Sequence, residues 1–194
     1  MKAVTYPGVS HMFGLPAFFS PSECDDWVTK AESGGGLVAV RQEASRTYAH
    51  RKHSRWQKDD AATAQIIFDR VRRFVPSALD SLTPVGCSSN IRLYKYTTGE
   101  SFGPHIDESN DGPDGSQSKF TLLIYLCTVA KSDGGRTIFY SDHKGRKEIA
   151  SVQPERGFAL LHGHGDRCLT HAGEEMRGGA IKYVLRTDVL YGKA

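Results

Sequence analysis

The stretch SNIRLYKYTTGESFGPHID, residues 89–107, decides the reading of the chain. It holds two short segments of branched and aromatic side chains, and Thr97-Thr98-Gly99 between them is a turn signal. The same grammar continues to the C-terminus. Strands are expected at about 89–96, 101–107, 119–127, 136–140, 147–153, 157–161, 167–171 and 180–190, with Gly, Pro, Asp and Ser clusters between them. Upstream, the pattern is helical. Ser20-Pro21-Ser22-Glu23 supplies an N-cap, a proline at the first helical position and an acid placed to close a capping box. That helix is expected to reach about Glu32 and to stop at Gly34-Gly35-Gly36. A second, capped by Asp59 or Asp60, carries Ile66, Ile67, Val71 and Phe74 at helical spacing and should end at Val75, before Pro76. Helices followed by about eight strands give a mainly β protein, a sandwich or jelly-roll barrel with N-terminal supporting helices on one outer face.

Length and composition fit one domain spanning 1–194, with helical support over about 15–76 and a core over 89–191. With 39% hydrophobic and 24% charged residues, disorder and fibrous architectures are excluded. Cys24, Cys87, Cys127 and Cys168 are widely spaced, with no Cys-x-x-Cys pair, as in a reducing compartment. Gly14 and Pro16 interrupt the only apolar patch near the N-terminus, and Leu122–Ala130 is about half a membrane span, so a cytoplasmic or nuclear protein without membrane attachment is expected. The net charge of +3 is too small to argue for nucleic acid. Its distribution is uneven, however. Arg41 to Lys58 contains six Lys or Arg, His50 and His53, with Glu43 as the only acid. The polar segment 108–118 reads as a mobile lid.

Two histidines and one carboxylate on one face suit non-haem Fe(II), because they leave coordination positions open on the other side. His105-Ile106-Asp107 supplies two such ligands from strand positions i and i+2, which share a face. His171 could supply the third. With 8 His and 13 Asp in the chain, about half a His-x-Asp match is expected by chance. His164-Gly165-Asp166 is indeed a second match, and His162-Gly163-His164 imitates a cupin-type His-x-His. Context favours His105 and Asp107, which close a strand, precede the polar loop and can meet a histidine from another strand. His162 and His164 read as loop or supporting residues. On the last strand, Lys182, Val184, Arg186 and Asp188 share one face and Tyr183, Leu185, Thr187 and Val189 the other. Buried cations need partners, here either a dicarboxylate ligand or neighbouring acids.

Five stretches, in order, resemble the 2-oxoglutarate- and Fe(II)-dependent oxygenases of the prolyl 4-hydroxylase-like branch: LPAFFSPSECDDWVTKAE (15–32), IRLYKYTTGESFGPHID (91–107), FTLLIYL (120–126), GGRTIFY (134–140) and GFALLHGHGDRCLTHAGEEMRGGAIKYVLRTDVLY (157–191). The resemblance implies a double-stranded β-helix with His105, Asp107 and His171 as iron ligands. It implies that Lys182 anchors 2-oxoglutarate, with Arg186 as competitor for that role, and that Tyr125, Tyr96, Tyr94 and Thr137 complete the cosubstrate pocket. Arg136 replaces the acid usual after Gly-Gly, Cys127 stands where Asn is common, and the link from His171 to Lys182 is one residue longer than usual. The implied reaction consumes 2-oxoglutarate and O2, releases succinate and CO2 and hydroxylates an unactivated C–H, foremost a prolyl residue of a protein or peptide. The basic segment Arg41 to Lys58 has two readings: one that folds over a polypeptide substrate and favours an acidic one, and a solvated basic hairpin or loop with no role. The alternatives are an oxygenase acting on nucleic acid or a small molecule, and a cupin-type metal protein without 2-oxoglutarate.

Overall fold

Ser20 and Glu23 form the expected reciprocal cap: the Ser20 N–H donates to Glu23 Oε2 at 2.8 Å and the Glu23 N–H to Ser20 Oγ at 3.2 Å. They open α1 (Pro21–Ser33). The computed structural model describes residues 2–33 and 35–193. Before α1 lie β1 (Val4–Thr5) and β2 (Met12–Leu15), and after it β3 (Val38–Gln42) and β4 (Arg51–Asp59). Asp60 caps α2 (Ala61–Val71) through the Thr63 N–H at 3.0 Å, and β5 (Thr83–Cys87) follows. Then come β6 (Asn90–Tyr96), β7 (Ser101–His105), β8 (Gln117–Tyr125) and β9 (Thr137–Tyr140). The chain closes with β10 (Glu148–Val152), β11 (Ala159–Gly163), β12 (Thr170–Gly173) and β13 (Lys182–Gly192).

All eight expected strands are present as β6 to β13. β1 to β5 were not expected, because their alternation is masked by charge or by brevity. RKHSRWQKD, the whole of β4, buries only His53 and Trp56, so its sequence reads as a solvated segment. α2 also stops at Val71, short of the expected Val75, and Val75 instead turns into the core. A residue before proline is disfavoured in the α conformation, which places the helix end upstream.

The strands form one curled antiparallel sheet in the order β1-β2-β11-β8-β13-β6-β4-β7-β12-β9-β10, with β3 added to β4 and β5 to β13. β4 is the hinge of this path: residues 54–59 pair with β6 and Arg51 and Lys52 pair with β7. The sheet curls there, so that β7, β12 and β9 face β8, β11 and β13 across an interior pocket. Alternation does the sorting. Ile91, Leu93, Phe120, Leu122, Ile124, Leu161, Leu185 and Val189 point outward and join Ile67, Phe68 and Val71 of α2 in the largest core. Burying each such side chain is worth roughly 1.5–3 kcal/mol, which holds helices too short to persist alone. The intervening residues, Thr121, Leu123, His162, Lys182, Val184 and Arg186, point inward and line the pocket.

The segment 108–118 does not close over this pocket. Ser118 N–H donates to Asn110 O, Ser109 Oγ to Ser118 O at 2.6 Å, and Gly112 N–H to Ser116 O at 2.7 Å. These bonds fold it back on β8, where it borders a separate groove beside α2 and β5. No helix of the described residues is long and apolar enough to cross a membrane.

Candidate metal centre

β7 and β12 pair so that His105 and His171 stand directly opposite one another, with ring centroids 4.2 Å apart. Asp107, two residues beyond His105 and just past the end of β7, turns its carboxylate between them. Oδ1 lies 3.7 Å from His105 Nε2, and Oδ2 lies 3.6 Å from His171 Nε2. Three donor atoms at this spacing can share one ion.

Backbone carbonyls fix both imidazoles. His105 Nδ1 donates to Gly103 O at 2.9 Å and His171 Nδ1 to Leu169 O at 3.0 Å, which leaves each Nε2 with its lone pair toward the shared space. Phe102 stacks on the His105 ring at 3.7 Å, and Phe139 backs His171 at 5.6 Å. Burial, with His171 alongside, pushes His105 down to about 3, and burial lowers His171 as well. Both are therefore neutral, the form that binds metal. Burial by itself would raise the Asp107 carboxyl, but the Arg186 guanidinium and the surrounding histidines hold it well below the carboxylate range.

A chain of hydrogen bonds supports Asp107 from behind. Ser118 Oγ donates to His164 Nδ1 at 3.0 Å, His164 Nε2 to Thr121 Oγ1 at 2.7 Å, and Thr121 Oγ1 to Asp107 Oδ2 at 2.7 Å. His164 is thus a supporting residue, committed to two hydroxyls, and a cupin-type His162–His164 pair is absent from the metal-capable clusters of the described residues. His162 departs from expectation: it lies on β11, inside the pocket, with Nε2 3.8 Å from Asp107 Oδ2 and neither ring nitrogen hydrogen-bonded. It also forms a second cluster with Cys168 and His171.

The two inward cations of β13 have different surroundings. Arg186 is consumed by acids, with Nε 3.2 Å from Asp188 Oδ1 and its two Nη atoms on Asp107. Asp188 also receives Arg92 at 2.6 Å. Lys182 has no carboxylate within salt-bridge distance among the described residues. Its Nζ donates to Gly135 O at 2.7 Å and lies 5.2 Å from the Tyr96 ring centroid. A Cβ on Gly135, whose φ is +73°, would fall 2.5 Å from Met176 Sδ, so only glycine lets that carbonyl sit there. Burial pushes Lys182 down to about 8, with Cys127 and Glu174 partly opposing. Tyr94, Tyr96 and Thr137 line the pocket. The Tyr125 ring lies 5.9 Å from Lys182 Nζ, and its hydroxyl shares a 2.7 Å hydrogen bond with Thr137 Oγ1.

Sequence reasoning missed Thr121, Arg92, Phe102 and His53. Thr121 had a signal: it is the one aliphatic hydroxyl within the apolar run FTLLIYL, at an inward position. Arg136 pairs with Glu174 at 2.9 Å and Glu148 at 3.0 Å, and has no ion pair with Asp107 among the described residues.

A family model described as the 2OG-Fe(II) oxygenase superfamily matches residues 91–187. Comparison with curated proteins gives no match. Among solved structures, the chain is similar to the viral collagen prolyl hydroxylase vCPH from Paramecium Bursaria Chlorella virus-1 in its 2OG complex, with 19% identity, TM-score 0.65, and 93% of this chain and 96% of that chain covered. It is similar to a Pseudomonas putida prolyl-4-hydroxylase, with 16% identity, TM-score 0.67, and 92% of each chain covered. It is also similar to a Trichoplax adhaerens prolyl hydroxylase in complex with a hypoxia inducible factor oxygen degradation domain peptide fragment, with 15% identity, TM-score 0.66, and 92% of this chain and 83% of that chain covered. At these identities the likenesses establish the fold, a jelly roll. The family model establishes more: with 97 of the 194 residues matched, the chain belongs to the 2OG-Fe(II) oxygenase superfamily and is a 2-oxoglutarate-dependent dioxygenase that uses Fe(II), 2-oxoglutarate and O2.

Proposed function

We propose that this dioxygenase hydroxylates a prolyl residue in a protein or peptide, with Fe(II) held by His105, Asp107 and His171 and 2-oxoglutarate anchored by Lys182. The observation that carries the reading is the division of charge in the pocket: Asp107 and Asp188 consume Arg186, while Lys182 keeps a buried cation without an acid. A dicarboxylate supplies what Lys182 lacks. Bound together, metal and cosubstrate supply the O2-dependent hydroxylation of an unactivated C–H, coupled to decarboxylation to succinate and CO2.

The chain's own share is orientation and exclusion. The Gly103 and Leu169 carbonyls hold His105 and His171 in one tautomer, and Thr121 and Arg186 fix the rotamer of Asp107. Lys182 attracts one carboxylate, Thr137 offers a hydroxyl beside it, and Tyr96 covers the ammonium. Phe102, Leu123 and Val184 keep water from the remaining wall. No side chain is needed as a general base for removal of a hydrogen atom from carbon. The choice of a prolyl substrate is supported by the likeness to prolyl hydroxylases, and action in the cytoplasm or nucleus by four free cysteines.

The test is incubation with Fe(II), 2-oxoglutarate and a library of proline-containing peptides, reading succinate and peptide mass together. The reading expects a +16 Da product mapped to proline. A +16 Da product on an oligonucleotide or a small metabolite, with every peptide unchanged, would replace it.

A further inference from the structure

β4 carries a row of inward residues, Arg51, His53 and Arg55, at strand positions i, i+2 and i+4. The row joins the pocket wall. Arg55 pairs in register with Tyr94, and the His53 ring contacts the rings of Tyr94 and Tyr96 at 5.0 and 5.2 Å. At the other end the Arg51 guanidinium lies 4.2 Å over Phe102, which stacks on His105. The placement is fixed by backbone: Gly103 N–H donates to His50 O at 2.8 Å, tying the hairpin to the strand that bears a metal ligand.

These cations are short of partners. No ion pair involves Arg51, Arg55, Lys52 or Arg46 among the described residues, whereas Arg41 is taken by Glu100 at 2.8 Å. Arg51 Nε and both nitrogens of His53 are buried without a hydrogen bond. Arg51 and Arg55 are only half-buried, so the accessible parts of their guanidiniums, with no acid beside them, are open to an acceptor that arrives with the substrate. Burial and the neighbouring arginines keep His53 neutral, so the fixed charge of the row is that of Arg51 and Arg55.

We propose that β4 extends the metal pocket into a recognition groove for an acidic polypeptide, in which Arg51 takes a carboxylate close to the hydroxylated residue and Arg55 takes a second one farther along. This rests on the peptide-hydroxylase reading and names its substrate class. The spacing of the two arginines, four residues on a strand, is roughly 13 Å. An extended peptide lying along the strand therefore meets them with residues about four apart, and the stacking of Arg51 on Phe102 and of Phe102 on His105 puts the first acid within about two residues of the target.

The test uses three fluorescent proline peptides that differ only at those two positions, bearing Glu, Gln or Lys. Binding is read by anisotropy with Mn(II) and 2-oxoglutarate present, and turnover as kcat/KM. The Glu peptide should exceed the Gln peptide by roughly tenfold or more, and the Lys peptide should be the poorest. Arg51→Gln should remove most of that preference, Arg51→Glu should reverse it toward the Lys peptide, and Lys58→Gln, which removes one charge from the opposite face of the same strand, should leave it intact. Equal kcat/KM and equal binding for the three peptides, or equal effects of Arg51→Gln and Lys58→Gln, would overturn the groove while leaving the hydroxylase reading in place. Turnover of a single-stranded oligonucleotide and of none of the peptides would overturn both.

Discussion

Arg186 lays its two Nη atoms on the two carboxylate oxygens of Asp107, at 3.3 and 3.1 Å, and turns Nε to Asp188 at 3.2 Å. One guanidinium thus neutralises the proposed metal ligand Asp107 and a second buried acid, and its planar fork suits the bidentate geometry. Arg186→Met should cost roughly 3–5 kcal/mol of stability, because two buried carboxylates lose their cation at once. Urea unfolding of the metal-free protein reads this, and Arg186→Met combined with Asp188→Asn should recover part of the loss. An unchanged midpoint in the single variant would contradict the arrangement.

Thr121 donates to Asp107 Oδ2 and is itself held by His164. Thr121→Val keeps the volume and removes the hydroxyl, so Mn(II) or Fe(II) affinity should fall by about 10–100-fold while the fold persists. Titration of the apo-protein with Mn(II) measures it. Full affinity would mean that the bond does not orient the ligand.

Lys182 is 3% exposed and its charge faces no acid, so it should act against stability. Burial that lowers its pKa to about 8 corresponds to a cost on the order of 3 kcal/mol while the group is charged. Lys182→Met is expected to raise the melting temperature of the apo-protein and to weaken 2-oxoglutarate binding by about 100-fold or more. Calorimetric titration and thermal unfolding provide the two readouts. A variant that loses stability and keeps cosubstrate affinity would remove Lys182 from its role. In the wild type, 2-oxoglutarate affinity should decline as pH rises past about 8, where the free amine forms.

The buried histidines set the acid side of the stability profile. His53 is held at about 4 and His105 at about 3, and His162, His164 and His171 are also lowered, each chiefly by burial. In the unfolded chain they titrate near 6.5, so below that pH the unfolded state binds protons that the folded state refuses. Their contribution is complete above about pH 6.5 and is lost as pH falls toward 4, at about 1.4 kcal/mol per pH unit for each histidine that titrates on unfolding. Asp107 and Asp188, both held low, add a further loss only below about pH 4. Urea midpoints of the apo-protein between pH 5 and 7.5 test the sign, and a flat profile would contradict it.

Much of this was legible in the chain. β-branched and aromatic alternation marked β6 to β13, and the i, i+2 spacing of His105 and Asp107 marked two residues whose donor atoms converge with that of His171. What stayed hidden shares a cause. β4 is a strand because β6, β7 and β3 hydrogen-bond to it, while its side chains read as a solvated charge run. Partner backbones are invisible to local pattern. Lys182 and Arg186, four residues apart on the same strand face, look equivalent in sequence; only the position of Asp107 across the pocket separates an occupied cation from an open one. His162 read as a loop residue because the turn signal Gly163-His164-Gly165 follows it directly, yet β8 and β2 pair with it on both sides.

The metal content of two variants tests the central claim most directly. After reconstitution with Fe(II) under anaerobic conditions and gel filtration, elemental analysis of His171→Ala and His162→Ala is compared with the wild type. Iron held by His105, Asp107 and His171 predicts one ion per chain in the wild type, near-complete loss in His171→Ala and retention in His162→Ala. Retention in His171→Ala with loss in His162→Ala would contradict the assignment.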